Sequence, residues 1–198
     1  VAERAPTRWT YARAVIVMIL VSVLIRLVCA AWIPLAGDEL LYLRYSRHLS
    51  PGYIDHPGVN ATLIRLGTTL FGSTPFGVRV VAVLLGLPAS WAVWRAAALL
   101  FQSERTGATA ALFFNLTVTM TMGSLLATSD SSVVVASAFL LFSLAKLNET
   151  GRGAWWLAIG AAFGIGMFSK YTTLFFAASM LIWLIAVPAQ RRWFVQPW

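Results

Sequence analysis

The sequence predicts an all-α, polytopic membrane protein. Hydrophobic residues make up 59% of the 198-residue chain and charged residues only 11%, whereas about a quarter of a soluble domain is charged. Too little polar surface remains to cover a water-soluble globule. The nine tryptophans agree with this class, because Trp favours the interfaces of a bilayer. We expect about six transmembrane helices within one membrane domain that covers residues 1–198.

The first third of the chain holds one predicted span and a long polar loop. Residues 14–36 are apolar apart from Arg26 and are long enough to cross a bilayer, which takes about 20 residues. Residues 37–58 are polar and rich in turn-forming residues. Within them, residues 38–49 are typical of a short amphipathic helix lying on the membrane. Residues 59–71 are too short to span and are assigned to the interface.

The remaining two thirds supply the other predicted spans. Residues 76–101, 107–127 and 131–145 are apolar and are separated by short polar turns. Residues 153–187 would be about 52 Å long as one helix, too long for a single crossing. We therefore expect this stretch to break at Ser169-Lys170, its only charged point. The break brings the total to six spans.

The distribution of basic residues predicts the orientation. With the N-terminus in the cytoplasm, nine Lys and Arg lie on the inner side and five on the outer side, with Arg26 inside the bilayer. The positive-inside rule favours this arrangement in the plasma (inner) membrane. The net charge of +8 is therefore read as asymmetry across a membrane, and no nucleic-acid partner is expected. This orientation places six polar residues outside: Asp38, Glu39, Asp55, His56, Asp130 and Lys170.

The acidic pair Asp38-Glu39 follows directly after the first span. A carboxylate at the membrane surface is suited to accept a proton from a substrate whose other half lies in lipid, so Asp38 is a candidate general base. A helix cap is the structural alternative for Asp38. Glu39 either holds a neighbouring cation or hydroxyl, or is a favourable anion in the first turn of a helix.

The other polar outer residues also allow two interpretations each. Asp55 and His56 are suited to a divalent metal or to a turn ended by proline. Asp130 is a second candidate acid or a helix cap. Lys170 and Arg79 either extend to the interface or bind a lipid phosphate, the natural anion at that depth.

A combination of short motifs covers nearly the whole chain. The motifs are Asp38-Glu39, Tyr42, Ser46-Arg47-His48-Leu49, Gly52-Tyr53-Ile54-Asp55-His56-Pro57, Leu63-Ile64-Arg65-Leu66-Gly67, Leu70-Phe71-Gly72, Pro75-Phe76-Gly77-Val78-Arg79, Ser129-Asp130 and Ser169-Lys170. Together they resemble bacterial protein-mannosyltransferase-like membrane glycosyltransferases. These belong to the GT-C superfamily (glycosyltransferase family 39), which also includes the aminoarabinose transferase that modifies lipid A.

The resemblance implies an activity and assigns roles to residues. It implies transfer of a sugar from a polyprenyl-phosphate donor to a lipid, glycan or protein acceptor outside the cytoplasm, and we expect inversion at the sugar. Asp38 would be the catalytic base and Asp130 the second catalytic acid. Lys170, His56 and Arg79 would bind the donor phosphate, with Glu39 in support. No cofactor is certain; a divalent metal at Asp55 is the one candidate. His56 stands where some relatives have lysine.

Two alternatives remain beside the enzyme. The family implies further membrane helices and often an outer C-terminal domain, so we expect this chain to be the N-terminal part of a longer protein. A truncated, inactive relative would bind only prenyl-phosphate or a partner protein. A transporter would place its binding site near the middle of the membrane, where only Arg26 is clearly charged.

Overall fold

The computed structural model describes residues 8–195, and apart from one isolated bridge between Gly52 and Pro57 every regular element in that range is helical. The α-helices are α1 (Arg8–Trp32), α2 (Gly37–Arg47), α3 (Val59–Phe71), α4 (Pro75–Phe101), α5 (Glu104–Leu116), α6 (Val118–Thr121), α7 (Ser129–Thr150), α8 (Trp155–Met167) and α9 (Leu174–Ala186). The 3₁₀ segments Tyr171–Thr173 and Pro188–Phe194 flank α9. The predicted all-α class is confirmed.

Three helices in the described range are long and apolar enough to cross a membrane. They are α1, from Thr10 onwards, together with α4 and α7. A fourth crossing results if α9 and the 3₁₀ segments around it count as one span, which bends by 114°. Helices α5 and α8 have 13 residues each, about 20 Å of helix against a hydrocarbon core of about 30 Å. The count of six spans therefore stays a prediction.

Helix α4 lies at the centre of the bundle and packs against α1, α3, α5 and α7. Small residues allow the closest of these contacts, as is common between membrane helices. A Cβ added at Gly67 of α3 would lie 2.2 Å from the carbonyl oxygen of Gly77 on α4. A Cβ at Gly107 of α5 would lie 2.6 Å from the carbonyl oxygen of Trp94. The helices consequently approach one another backbone to backbone.

Loops and helix ends meet at one end of the bundle, which we call the α2 end. It consists of α2, α3, the ends of α1 and α8, and the starts of α4, α7 and α9. The backbone N–H of Val59 donates to the carbonyl of Phe168 at 3.1 Å. The side-chain amide of Asn60 donates to the carbonyl of Ala127 at 2.9 Å. These bonds tie α3 to the segments that precede α7 and α9.

The predicted elements agree with the structure at the surface helices and differ at one span. The interfacial helix predicted at residues 59–71 has the same bounds as α3, and the chain does break around Ser169-Lys170. The span predicted at residues 107–127 is not one continuous helix. Helix α5 ends at Leu116, and Thr117 begins the short helix α6 by accepting a hydrogen bond from the N–H of Met120.

Candidate active site

A buried ion pair between Glu39 and Arg79 holds the α2 end together. The Nε of Arg79 donates to Oε1 of Glu39 at 2.7 Å and its Nη2 donates to Oε2 at 2.6 Å. Both side chains are fully buried. The guanidinium also donates to the carbonyls of Ile33 at 2.6 Å and Pro34 at 2.9 Å. Arg79 therefore fixes the end of α1 and the start of α2 to α4.

Glu39 extends the same network to the start of α7. Its Oε2 accepts from the N–H of Ala36 at 2.8 Å, just before α2, and its Oε1 accepts from the N–H of Ala127 at 3.1 Å. Burial raises the pKa of Glu39, but hydrogen bonds from Arg79, Ala36 and Ala127 outweigh burial and hold that pKa below its ordinary value. The carboxylate is therefore ionised and holds the segments that lead to both candidate acids.

This network corrects two expectations. Arg79 was expected at the donor phosphate, but it lies fully buried against Glu39, because a guanidinium beside an apolar core is stabilised by a bidentate carboxylate. A helix cap was the alternative role for Asp38, but Ala36 is the N-cap. The N–H of Ala36 donates to the carboxylate of Glu39. The carboxylate of Asp38 is exposed. Within residues 8–195, no hydrogen bond or ion pair engages this carboxylate.

The structure joins Asp130 and Lys170. Lys170 Nζ donates to Asp130 Oδ1 at 2.6 Å, and the two side chains are 32% and 58% exposed respectively. Thr128 is the N-cap of α7, so Asp130 lies within the first turn and is not the cap. Lys170 reaches it because the chain breaks between α8 and α9. Two candidates that are 40 residues apart in sequence thus form one charged pair.

Tyr42 lies between the candidate residues, although no role was predicted for it. Its hydroxyl donates to Oγ of Ser129 at 3.4 Å, and its ring meets His56 edge-on at 5.3 Å. Burial raises the pKa of Tyr42, and the charges of Asp55, Asp38 and Lys170 also act on that hydroxyl. The sequence did contain one signal, because Tyr42 follows Glu39 by three residues and so lies on the same helix face.

Asp55 and His56 form a small polar cluster with aromatic support. The hydroxyl of Tyr45 donates to Oδ1 of Asp55 at 2.7 Å, and Tyr45 stacks on Tyr53 with ring centroids 4.1 Å apart. The hydrogen bond from Tyr45 is the main reason that the pKa of Asp55 lies below its ordinary value. Nδ1 of His56 lies 3.2 Å from Oδ2 of Asp55. Both oxygens of Asp55 therefore face neighbouring side chains.

This cluster does not fit a metal ion. Nowhere in the described part of the chain do three His, Cys, Asp or Glu side chains come together in a metal-binding group. Asp55 has only His56 as a neighbouring ligand type, and its oxygens already face Tyr45 and His56. A protein site for a divalent cation normally needs more oxygen or nitrogen ligands than these two side chains supply. We therefore assign no chemical role at this site to a metal ion.

An apolar groove begins about one helical turn beyond Asp130. It has a volume of about 730 Å³ and runs between α7 and α9, with the end of α5 and the start of α6 also contributing to its wall. On α7 it extends from Val133, one turn after Asp130, to Leu144. On α9 it extends from Phe176 to Trp183. The residues that line this groove do not include Asp130 or Lys170.

Two comparisons with known proteins find a match. The sequence profile described as dolichyl-phosphate-mannose-protein mannosyltransferase matches residues 55–198, more than half of the chain. The lipid A galacturonosyltransferase RgtD of Rhizobium johnstonii is 26% identical over 155 residues, which cover 78% of this chain and 33% of the relative. The chain thus spans about a third of the length of that curated relative. No solved structure matches.

Proposed function

Because the chain belongs to the dolichyl-phosphate-mannose-protein mannosyltransferase family, we propose that it carries the catalytic end of a membrane glycosyltransferase. The donor is a sugar linked to polyprenyl phosphate. The acceptor is a lipid, a glycan or a protein on the outer face of the membrane, and the sugar is transferred with inversion. The relative named as a lipid A galacturonosyltransferase favours a lipid acceptor among these three.

The observation that carries the proposal is the charged pair about one helical turn from an apolar groove. The prenyl chain lies in the groove between α7 and α9. Its phosphate lies at Lys170, whose ammonium has three N–H donors, of which Asp130 uses one. The remaining donors bind phosphate oxygens. His56, which packs against Tyr42 at the same end, is the second phosphate-binding side chain.

The reaction is a single displacement at the anomeric carbon of the sugar. Asp38 removes the proton from an acceptor hydroxyl, whose oxygen then attacks that carbon. The bond from the carbon to the phosphate oxygen breaks, and the prenyl phosphate leaves with the bonding electrons. Lys170 stabilises the negative charge that develops on the leaving phosphate. Asp130 holds the ammonium of Lys170 in place, and attack from the opposite side inverts the sugar carbon.

Substitution of Asp38 tests the base directly. The full-length protein in vesicles would receive a radiolabelled polyprenyl-phosphate sugar, and transfer would be counted. We expect Asp38→Asn to lower the transfer rate at least about 100-fold, the usual contribution of a general base, with no change in donor affinity. Glu149→Gln, an exposed acid near the end of α7, is the matched control. Near-normal transfer by Asp38→Asn would exclude Asp38 as the base.

A second assay separates the enzyme from a relative that only binds its lipid. A photoreactive polyprenyl phosphate should crosslink to peptides of α7 and α9, and Lys170→Met should weaken this crosslinking. Crosslinking without transfer by the full-length protein would support the binding-only alternative. Crosslinking elsewhere would contradict the placement of the donor in the groove. A transporter would instead move the labelled lipid across the membrane without transferring its sugar.

A further inference from the structure

A second apolar groove lies between α1 and α4, toward the end of the bundle opposite the α2 end. It has a volume of about 250 Å³. On α1 it is lined by Ile16, Ile19 and Leu20, and on α4 by one face of the helix from Leu87 to Arg95. Among the described residues that line it, Arg95 alone is charged.

The groove has a buried floor and exposed edges. Ile19 and Ser90 are buried, whereas Ile16, Leu20 and Trp91 are half-exposed. The hydroxyl of Ser90 already donates one hydrogen bond and accepts another within the bundle. The floor therefore presents mainly hydrocarbon, and the exposed edges open the groove to the surrounding lipid.

The length of the groove is close to the thickness of one leaflet. Leu87 and Arg95 are eight residues apart, which is about 12 Å along a helix, and half of the hydrocarbon core is about 15 Å thick. Trp94 lies beside Arg95 at the same end of the groove, and Trp favours the interface of a bilayer. An acyl chain in the groove would therefore run from the bilayer interior to the interface at Arg95.

Two arginines with unused donors lie toward this interfacial end. Nη1 of Arg95 donates to Oε1 of Glu104 at 2.7 Å, and its Nε and Nη2 form no hydrogen bond within residues 8–195. Arg13 is exposed, precedes Ile16 by three residues and so lies on the same face of α1. It forms no hydrogen bond or ion pair with the described residues. Two guanidinium groups against one carboxylate leave an excess of positive charge.

We propose that an anionic phospholipid of the phosphatidylglycerol type binds in this groove. One acyl chain lies between α1 and α4, and the phosphate accepts hydrogen bonds from the unused donors of Arg95. Arg13 adds a second positive charge. A guanidinium suits this role because it presents paired N–H donors to phosphate oxygens, and basic pockets between membrane helices bind anionic head groups.

The charge of the site decides between a lipid and a further protein helix. An apolar helix would cover the same hydrocarbon surface but would bring no acceptor for the unused donors of Arg95. A phospholipid covers the groove and supplies phosphate oxygens at the same time. The site lies at the end opposite the α2 end, so it does not depend on the proposed transfer reaction.

Photocrosslinking tests the site in the full-length protein reconstituted in nanodiscs. Phosphatidylglycerol with a diazirine in its acyl chain would be added at low mole fraction to a phosphatidylcholine bilayer. We expect crosslinks at peptides that contain residues 16–20 and 87–95, several-fold above those of a diazirine phosphatidylcholine. Arg95→Gln should lower the phosphatidylglycerol crosslinks about fivefold, the usual effect of one basic residue near an anionic head group. Arg13→Gln should lower them in the same direction.

Two control variants separate lipid binding from other effects of Arg95→Gln. Glu104→Gln breaks the same ion pair but keeps the guanidinium, so it should retain or increase the crosslinking. Arg152→Gln removes an exposed arginine between α7 and α8 and should leave the crosslinking unchanged. An equal loss in Glu104→Gln and Arg95→Gln would assign the effect to the ion pair and overturn the contact with phosphate.

Two further results would overturn the proposal. The first is equal crosslinking of the two lipids to the unsubstituted protein, a measurement that needs no variant to fold. The second uses a benzophenone attached to Ile16→Cys in a Cys29→Ala background. If this group crosslinks to another part of the full-length protein and the lipid probes miss both helices, a protein segment covers the groove.

Discussion

At the scale of single residues, two neighbouring carboxylates have separate roles. Adjacent helix residues point about 100° apart, so Glu39 faces the core and Asp38 faces outward. The sequence located this pair at the membrane surface. It could not identify Arg79 as the partner of Glu39, because the two are 40 residues apart and meet only after α1 and α4 have packed. The same packing explains why Arg79 is not at the donor phosphate.

Removal of the charge of Glu39 should destabilise the protein strongly. Glu39→Gln leaves the guanidinium of Arg79 buried without a counter-charge, and loss of one partner of a buried pair costs about 3–5 kcal/mol. The matched control is Arg95→Gln, because Arg95 and Glu104 are 36% and 58% exposed. An exposed pair contributes about 0–1 kcal/mol. Denaturant titration in mixed micelles would measure both; equal shifts would contradict the prediction.

The pKa of Asp55 should depend on Tyr45. A hydrogen bond from Tyr45 is the main cause that lowers this pKa below its ordinary value of 3.8. The stabilising effect of a carboxyl group with a lowered pKa is fully present above 3.8 and is lost as pH falls through the lowered value. Tyr45→Phe should therefore raise the pKa of Asp55 toward 3.8, as measured by ¹³C NMR of the carboxyl group.

Tyr53→Phe is the control for this measurement. The Tyr53 hydroxyl bonds the backbone of Tyr45 and His48 and does not touch Asp55, while a phenyl ring keeps the stacking on Tyr45. We expect its effect on the pKa of Asp55 to be small. An equal rise in both variants would show that loop disorder, and not the hydrogen bond, controls the titration.

At the scale of elements, periodicity and turn residues predicted helix bounds correctly where the local sequence alone determines the helix. The bounds of α3 and the break at Ser169-Lys170 followed from length and from charge placement. The end of α5 could not be predicted in this way. Residues 107–127 are apolar enough for one span, but the carbonyl of Asn115 bonds Arg26, a residue 89 positions earlier. Such a long-range contact leaves no local pattern.

The crossing of α3 and α4 should depend on Gly67. A Cβ there would lie 2.2 Å from the carbonyl oxygen of Gly77, so Gly67→Ala must separate the two backbones. We expect a loss of about 1–3 kcal/mol in stability, as for other overpacked cores. Gly160→Ala on α8 meets nothing within 4 Å and should be neutral or stabilising by about 0.5–1 kcal/mol. A neutral Gly67→Ala would contradict the close crossing.

At the scale of the whole molecule, the polar residues gather at the α2 end. Asp38, the Asp130–Lys170 pair and the Asp55–His56 cluster all lie there. The opposite end carries Arg95–Glu104 and Lys146–Glu149 pairs. The positive-inside rule predicts that the α2 end faces outward, as the proposed transfer reaction requires.

Chemical labelling of engineered cysteines tests this orientation. In a Cys29→Ala background, Ile54→Cys places a thiol at a fully exposed position of the α2 end, and Gln102→Cys places one at the exposed opposite end. We expect a membrane-impermeant maleimide to label intact spheroplasts only at position 54. Position 102 should react only after the membrane is permeabilised. The reverse pattern would refute the assigned orientation and the outer-face reaction.

The Glu39–Arg79 network also has a consequence for biosynthesis. A ribosome releases Glu39 first, Arg79 40 residues later and Ala127 88 residues after Glu39. During insertion, the acidic side chain therefore waits at the membrane surface without its counter-charge, either hydrated or protonated. The α2 end cannot reach its final geometry until α4 has entered the membrane and the segment before α7 has emerged.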